Sequence, residues 1–234
     1  VLYDQEYWEK NVVPRLSPKM NSSFYDFQKQ AIHRMVKMKK CLNASSMGLG
    51  KSLQALAALS FHKSSTKGDI ILCPGYLRKN WEDEALLWLP EKYHNGIKVI
   101  QKAGKKEMPQ VIRTLFTHKG VIIISYDMCA NIFSRLKPVL RKGKIWNTVI
   151  LDESHFIKDV KTKRYKMLHE AIKGCNNIYL LSGTPSPNRP KELFSQFSLL
   201  NNSTFKNYKM FAFRYCGAFY DHFSKFDDRG SSNV

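Results

Sequence analysis

The sequence is short of acidic residues, closely spaced cysteines and long apolar runs. Its five cysteines lie at least 32 residues apart in a chain of 234, so a zinc ribbon and a disulfide framework are both unexpected. The longest apolar runs, such as VIII at 121–124, are far shorter than a membrane span, and the opening VLYDQEYWEK is not a signal segment. We therefore expect a soluble, reduced, intracellular protein with no zinc and no membrane partner.

Basic residues outnumber acidic residues two to one. The 38 Lys and Arg against 19 Asp and Glu give a formal net charge of +19. Such a surplus indicates a polyanionic partner, with nucleic acid ahead of an anionic membrane surface. Hydrophobic residues at 43% and aromatic residues at 12% can build a core, which excludes wholesale disorder.

Short β-branched runs alternate with helical patterns along the chain. The runs cover 69–73, 97–100, 121–125, 148–152 and 177–182, and continuous apolar runs of this kind are typical of strands buried on both faces. A helix is expected from about Phe24 to Met38, and another over 77–89 whose apolar face carries Trp81 and Trp88 as core residues. The alternation predicts an α/β fold with a mainly parallel sheet, helices on both faces and ligand sites at the carboxyl ends of the strands.

A phosphate-binding loop is indicated by the segment CLNASSMGLGKSLQALAALSF. Gly48 and Gly50 would let backbone N–H groups face phosphate oxygens, Lys51 would reach the β and γ phosphates, and Ser52 would ligate Mg²⁺. Met47 and Leu49 complete the loop. Ser45 occupies the first glycine position of the usual pattern, so a Gly-rich turn with a solvated lysine is the alternative.

A pair of carboxylates follows an apolar strand in TVILDESH. Asp152 would hold Mg²⁺ through water, and Glu153 would orient or deprotonate an attacking water. His155 could link this site to a nearby loop. The alternatives are a helix-capping carboxylate and a histidine in an ordinary polar contact. A two-carboxylate glycosidase leaves the Gly-Lys-Ser loop unexplained, and ATP hydrolysis accounts for both motifs.

These motifs together resemble those of the Swi/Snf-type ATPases, in superfamily two of helicases and translocases. The segments that carry the resemblance are MGLGKS at 47–52, PGYLRKNW at 74–81, SYD at 125–127, DESH at 152–155 and SGTP at 182–185. Phe27-Gln28 is similar to the family's adenine-contacting element. DESHFIK, SGTPSPNRPKELF, FRYC and the terminal GSSN are most similar to the HepA-related annealing helicases.

The resemblance implies a RecA-like fold, ATP and Mg²⁺ as cofactors, and double-stranded or forked DNA as partner. It assigns nucleotide binding to Gln28 and to the loop from Met47 to Ser52, and coupling to His155, Ser182 and Thr184, although turn chemistry also explains S-G-T-P. The DNA-contact candidates are basic or polar residues after strands: Arg78, Lys79, Asn80, Ser125, Tyr126 and Lys158, with Lys161 and Lys163. A nuclear location is implied in a eukaryote, and a cytoplasmic one otherwise.

The same resemblance divides the chain into a leader (1–23), a first RecA-like lobe (24–200) and an extension (201–234) leading toward a second lobe. In this family the second lobe supplies arginine fingers, which contribute roughly 10³–10⁵ in rate, so the chain alone should hydrolyse ATP slowly. Two alternatives stay open. One is a strand-separating helicase; the other is a DNA-binding module with a degenerate nucleotide site, because Ser45 and Ser46 stand where the family has acidic residues.

Overall fold

The computed structural model describes residues 2–136, 145–172, 174–186, 189–201, 203–220 and 225–230. Part of SGTPSPNRPKELF, and all of GSSN after its glycine, lie outside the described residues. Among the described residues, no helix is both long enough and apolar enough to cross a membrane.

A parallel sheet of six strands organises the described part of the chain. Its strands are β1 (Lys40–Asn43), β2 (Asp69–Cys73), β3 (Ile97–Val99), β4 (Val121–Ser125), β5 (Thr148–Asp152) and β6 (Asn177–Leu181). Their order across the sheet is β1-β6-β5-β2-β4-β3, and every neighbouring pair is parallel. A short antiparallel pair, β7 (Phe219–Tyr220) and β8 (Phe226–Asp227), follows near the end of the chain.

The predicted strands are found within a residue of their expected bounds, but one prediction about burial is wrong. Every residue of β2, β4 and β6 is buried, as continuous apolar runs require. The run at 97–100 forms β3 at the edge of the sheet, with Lys98 exposed and its neighbours only partly buried. An edge strand has a neighbour on one side only, so it is not enclosed like the central strands.

Ten α-helices surround the sheet in the described residues. They are α1 (Gln5–Tyr7), α2 (Pro18–Ser22), α3 (Asp26–Met38), α4 (Lys51–Phe61), α5 (Arg78–Trp88), α6 (Met108–Thr117), α7 (Tyr126–Arg135), α8 (Lys163–Ile172), α9 (Leu193–Leu200) and α10 (Tyr208–Tyr215). A π-helical turn covers Trp8–Val12, and 3₁₀ turns cover Val13–Arg15, Gly75–Leu77, Glu91–Gly96, Ser154–Ile157 and Pro190–Glu192.

The core consists of two apolar layers, one on each face of the sheet. Helices α3, α4 and α5 pack against alternate strand residues such as Ile71 and Ile123. Helices α6, α7 and α8 pack against the intervening residues, such as Leu72 and Ile124. Successive side chains of a strand point to opposite faces, so each buried run serves both layers. The predicted α/β architecture with helices on both faces is confirmed.

The first 24 residues contribute to the core and do not stand apart from it. Trp8, Val12, Leu16, Met20 and Phe24 are all buried in the same apolar layer as α3 and α4. The Ser17 hydroxyl donates to the Trp88 carbonyl at 2.7 Å, and the Ser60 hydroxyl donates to the Arg15 carbonyl at 2.5 Å. The segment labelled a leader is therefore packed onto the lobe, and its treatment as a separate unit stays a prediction.

The other predicted boundary, at residue 200, falls within a third apolar cluster. Phe194 of α9 packs against Phe211 of α10, with ring centroids 5.4 Å apart. The cluster joins α9 to the elements that follow it, so residues on both sides of the boundary share one set of apolar contacts. The division into lobe and extension stays a prediction.

Candidate nucleotide site and nucleic-acid edge

The loop after β1 has the backbone shape that its glycines allow. Gly48 has φ +78° and Gly50 has φ +74°, both in the left-handed region that side chains disfavour. Helix α4 begins immediately afterwards at Lys51, and Gly50 provides its N-cap. The N-terminus of α4, with its unpaired N–H groups and positive dipole end, therefore opens onto the loop, where an anion is stabilised.

Three amide side chains hold the loop through four hydrogen bonds. The Asn43 amide donates to Gln54 Oε1 at 2.7 Å, and the Ser45 N–H donates to Asn43 Oδ1 at 3.1 Å. The Leu49 carbonyl accepts from Gln54 Nε2 at 2.8 Å and from Gln28 Nε2 at 3.2 Å. Asn43, Gln54 and Gln28 are all buried, so these bonds are sheltered from water and fix the loop.

Gln28, predicted to contact adenine, lies against the loop with both ends of its amide engaged. Its Nε2 donates to the Leu49 carbonyl, and its Oε1 accepts from the Tyr25 N–H at 3.1 Å. The aromatic rings of Tyr25 and Phe27 are exposed and stacked beside it, with centroids 5.9 Å apart. A role for Gln28 in adenine recognition stays a prediction.

Lys51 rests on the carbonyls of its own loop. Its Nζ donates to the Ser45 carbonyl at 2.9 Å and to the Ser46 carbonyl at 3.0 Å. An ammonium group has three donors, so a phosphate can replace these carbonyls without leaving the lysine unpaired. Ser52 follows at the first turn of α4 and is partly exposed, so its hydroxyl is accessible to a ligand.

Asp152 ends β5 and is fixed on three sides. Its Oδ2 accepts from the Trp81 indole N–H at 2.8 Å, and its Oδ1 accepts from the Glu153 N–H at 2.9 Å. The Tyr126 hydroxyl donates to the Asp152 carbonyl at 2.8 Å. Burial raises the pKa of Asp152, and the Trp81 N–H and the charge of Lys51 act against that rise. Asn43 at the end of β1 and Asp152 at the end of β5 both pair with Leu181 of β6, so the two predicted motifs lie at the same edge of the sheet.

Glu153 has a left-handed backbone, with φ +49° and ψ +54°. For a residue with a side chain this conformation costs about 1–2 kcal/mol, and strain of this size persists only where surrounding contacts impose it. Its Oε2 is buried and has no hydrogen-bond donor among the described residues, although His155 Nδ1 lies 3.2 Å away as an ion-pair partner. A buried carboxylate oxygen with spare capacity is suited to accept a proton from water.

His155 connects the acidic pair with the loop after β6. Its Nδ1 lies 3.1 Å from Ser182 Oγ and close to Glu153, and Ser182 Oγ also accepts from the Thr184 N–H at 3.2 Å. The structure thus brings together all three residues predicted to couple the site. The same loop approaches the phosphate loop, because a Cβ added at Gly183 would lie 3.0 Å from Met47 Cγ.

Gln196 of α9 braces the loops after β5 and β6. It is fully buried, accepts from the Ser154 hydroxyl at 2.7 Å and donates to the Pro185 carbonyl at 2.6 Å. Pattern reasoning missed Gln196, and it missed Asn43 and Gln54 as well. A polar residue inside an apolar run, such as Gln54 in KSLQALAALSF, was the available signal, because buried amides are retained where they are hydrogen-bonded.

The oxygen donors at this site fit Mg²⁺. Asp152 offers a carboxylate and Ser52 a hydroxyl, and Mg²⁺ in nucleotide sites prefers one or two such oxygens together with phosphate and water. Among the described residues, no group of three or more His, Cys, Asp or Glu could hold a metal ion. A Mg²⁺ ion held by Asp152 and Ser52 would take its remaining ligands from phosphate and water.

Three of the predicted DNA contacts have side chains that bond within the protein, and their role at DNA stays a prediction. Tyr126 is 1% exposed and bonds to the Asp152 carbonyl. The Ser125 hydroxyl accepts from the Met128 N–H and caps α7. The Arg78 guanidinium donates to the carbonyls of Gly75, Ile100 and Gln101, so it fastens α5 to the loop after β3.

The remaining candidates lie on the surface at the carboxyl edge of the sheet. Lys79 and Asn80 are exposed at the start of α5, and Lys158, Lys161 and Lys163 are exposed after β5. Lys79 pairs with Asp83 at 2.8 Å, and Lys158 pairs with Glu192 at 3.1 Å. The Lys79–Asp83 pair is exposed on both sides, and exposed pairs are weak, so a phosphate backbone can compete for the Lys79 ammonium group.

Comparison with known protein families agrees with this arrangement. The model of the family described as "SNF2-related domain" matches residues 26–220. The chain is 31% identical over 221 residues to the Bos taurus SWI/SNF-related matrix-associated actin-dependent regulator of chromatin subfamily A-like protein 1. It is 32% identical over 228 residues to the Homo sapiens DNA annealing helicase and endonuclease ZRANB3.

These alignments cover 94% and 96% of this chain but only 22% and 20% of the two relatives, so the chain spans about a fifth of their length. Among solved structures, the Sulfolobus solfataricus SWI2/SNF2 ATPase core in complex with dsDNA matches with a TM-score of 0.64 and 24% identity. That match covers 81% of this chain and 38% of the other. The likeness confirms the predicted RecA-like fold, and the family match confirms the resemblance read from the motifs: the chain belongs to the SNF2-related family.

Proposed function

We propose that this chain is the ATP-binding first lobe of a motor that translocates on double-stranded DNA and rewinds it. The observation that carries the proposal is one cluster at the carboxyl edge of the sheet. There the Lys51 loop, the Asp152–Glu153 pair and the His155–Ser182 contact follow the adjacent strands β1, β5 and β6, and a Cβ added at Gly183 would lie 3.6 Å from Lys51 Nζ. Its place at the ends of parallel strands is the usual position of a ligand site in an α/β fold.

Each residue has a defined task in this proposal. Lys51 exchanges the Ser45 and Ser46 carbonyls for phosphate oxygens, and the N–H groups of the loop and of α4 bind the same phosphates. Glu153 orients the attacking water and accepts its proton at the buried Oε2. Mg²⁺, held by Ser52 and by Asp152 through water, would neutralise charge on the phosphates.

His155 and Ser182 would report the state of the nucleotide to the nucleic-acid edge. The contact between His155 and Ser182 joins the loop that carries Glu153 to the loop after β6. Gln196 bonds to the loop after β5 and to the loop after β6, and so connects both to α9. A conformational change at Glu153 would therefore shift the loop after β5 and the loop after β6 together. Coupling through packed, hydrogen-bonded elements requires contiguity of this kind.

The DNA assignment rests on the charge of +19 and on the exposed lysines at the same edge. Lysine contacts bind phosphates without reading bases, which suits a motor that moves along any sequence. The relatives named as an annealing helicase and as a regulator of chromatin support rewinding over strand separation, and they support a nuclear location in a eukaryote. A second RecA-like lobe, supplied by a longer protein, would complete the site.

Nucleotide binding by the 234-residue chain tests the proposal. Lys51→Ala should abolish binding of a fluorescent ATP analogue, because no other side chain of the loop supplies a cation to the β and γ phosphates. Glu153→Gln should bind it as tightly as the unaltered chain, since Glu153 acts on water and not on the phosphates. Equal loss of binding in both variants, or no binding by the unaltered chain, would refute the assignment.

A further inference from the structure

One hydrogen-bond donor to Asp152 is the indole of Trp81, a residue that the sequence pattern assigns only to the core. The Trp81 indole N–H points at Asp152 Oδ2 from 2.8 Å, and the Trp81 side chain is fully buried. Trp81 does pack into the apolar layer beneath α5, as its helical pattern predicts. A buried indole N–H needs an acceptor, however, and here the acceptor is the carboxylate assigned to Mg²⁺.

The hydrogen bond from Trp81 helps to fix the orientation of the Asp152 carboxylate. Asp152 has two carboxylate oxygens, and its Oδ1 accepts from the N–H of the next residue, Glu153. Its Oδ2 accepts from the Trp81 indole N–H, so the plane of the carboxylate is defined by one donor just after β5 and one from α5. Each oxygen keeps lone-pair capacity for a water or a metal, since a carboxylate accepts about four hydrogen bonds.

The indole N–H reaches Asp152 from inside the protein, because Trp81 is 0% exposed. Replacement by a phenyl ring would leave Oδ2 without that donor and free to rotate toward other partners. Groups that orient a metal-binding carboxylate act in this way, and their loss costs about 10–100-fold in metal affinity or activity.

We propose that Trp81 is a positioning residue, which holds Asp152 in the orientation that binds the nucleotide's Mg²⁺. This inference rests on the proposed function, because it assumes that Asp152 serves the metal. It also gives α5 a second role. The helix begins at Arg78, continues with the exposed Lys79 and Asn80, and then reaches Trp81, whose indole contacts Asp152.

The test is the metal dependence of nucleotide binding by the 234-residue chain. The dissociation constant of a fluorescent ATP analogue is measured in saturating Mg²⁺ and again in EDTA. Trp81→Phe should weaken binding roughly tenfold in Mg²⁺ and leave binding in EDTA unchanged. A purely structural role for Trp81 would weaken both equally, because a damaged fold loses the phosphate loop as well.

Trp88→Phe is the matched control. Trp88 lies on the same helix, and its indole N–H also donates to a carboxylate, that of Glu84 at 2.7 Å. Glu84 is outside the nucleotide site, so this variant should bind as the unaltered chain does in both conditions. Should Trp81→Phe fail to fold, benzothienylalanine at position 81 keeps the bicyclic shape and removes only the N–H.

The possible results distinguish the positioning role of Trp81 from the proposed function of the site. A loss confined to Mg²⁺ in the Trp81 variant and absent in Trp88→Phe supports the positioning role. Equal affinities of the Trp81 variant and the unaltered chain in Mg²⁺ overturn that role and leave the proposed function standing. An unaltered chain that binds no nucleotide, or binds it equally in Mg²⁺ and EDTA, refutes the metal site itself and the positioning role with it.

Discussion

Two glycines of the phosphate loop, Gly48 and Gly50, differ in the space that surrounds them. Gly48 and Gly50 have nearly the same φ, +78° and +74°. A Cβ added at Gly48 would meet nothing within 4 Å, whereas one at Gly50 would lie 2.5 Å from Gln28 Nε2. Gly48→Ala therefore tests backbone strain alone, and Gly50→Ala tests strain together with displacement of the Gln28 amide.

The expected costs follow from these contacts. Left-handed backbone with a side chain costs about 1–2 kcal/mol, which applies to both substitutions. The Gln28 amide is the end of a flexible side chain and can move aside, but it then loses its bond to the Leu49 carbonyl, at about 1 kcal/mol. We expect Gly50→Ala to destabilise the chain by about 2–3 kcal/mol and Gly48→Ala by about 1–2 kcal/mol.

Denaturant unfolding of the 234-residue chain measures these free energies, and a double-mutant cycle with Gln28→Ala isolates the contact. Without the Gln28 amide there is nothing to displace, so the extra cost of Gly50→Ala should vanish. The coupling energy between the two sites should be about 1 kcal/mol. Equal costs for the two glycines, or a coupling energy of zero, would refute the packing of Gln28 under the loop.

Acid should weaken the fold through His62, since burial lowers its pKa to about 4 while the unfolded chain titrates near 6.5. At acid pH the unfolded chain therefore binds more protons than the folded chain, so the free energy of unfolding should fall by about 2–3 kcal/mol from pH 7 to pH 4. The substitution His62→Gln should remove most of this decrease. Full pH dependence in His62→Gln would contradict this cause. For DNA, replacing Lys158, Lys161 and Lys163 by Ala should flatten the slope of log K against log salt on duplex DNA by roughly 2–3. Arg78→Ala should leave the slope unchanged, because its guanidinium is bonded to backbone carbonyls; a reduced slope there would show that Arg78 contacts phosphate.

Much of the fold could be predicted because its signals are local. The runs of β2, β4, β5 and β6 are unbroken and apolar, and the strand, loop and helix around Lys51 follow one another directly. The burial of the first 24 residues was missed, although Trp8, Val12, Leu16, Met20 and Phe24 recur every four residues. That spacing was a usable signal for an apolar face, and the irregular chain around the prolines obscured it.

Side-chain roles at the strand ends could not be predicted, because they depend on neighbours far along the chain. Tyr126 and Ser125 follow β4 as DNA contacts would, yet Tyr126 turns inward to a carbonyl on β5. Arg78 precedes exposed polar residues, yet it bonds to carbonyls 22 and 23 residues away. Trp81 was assigned to the core, and its N–H meets Asp152 only because α5 packs across the end of β5.

The central claim is that Lys51, Asp152 and Glu153 form an ATPase site driven by DNA. The most direct measurement is the ATP hydrolysis rate of a protein that joins this chain to a second RecA-like lobe, with and without duplex and forked DNA. Strong stimulation by DNA, abolished by Lys51→Ala and by Glu153→Gln, is the predicted result. No hydrolysis alongside tight, salt-sensitive DNA binding would contradict the claim and identify a DNA-binding module with a degenerate nucleotide site.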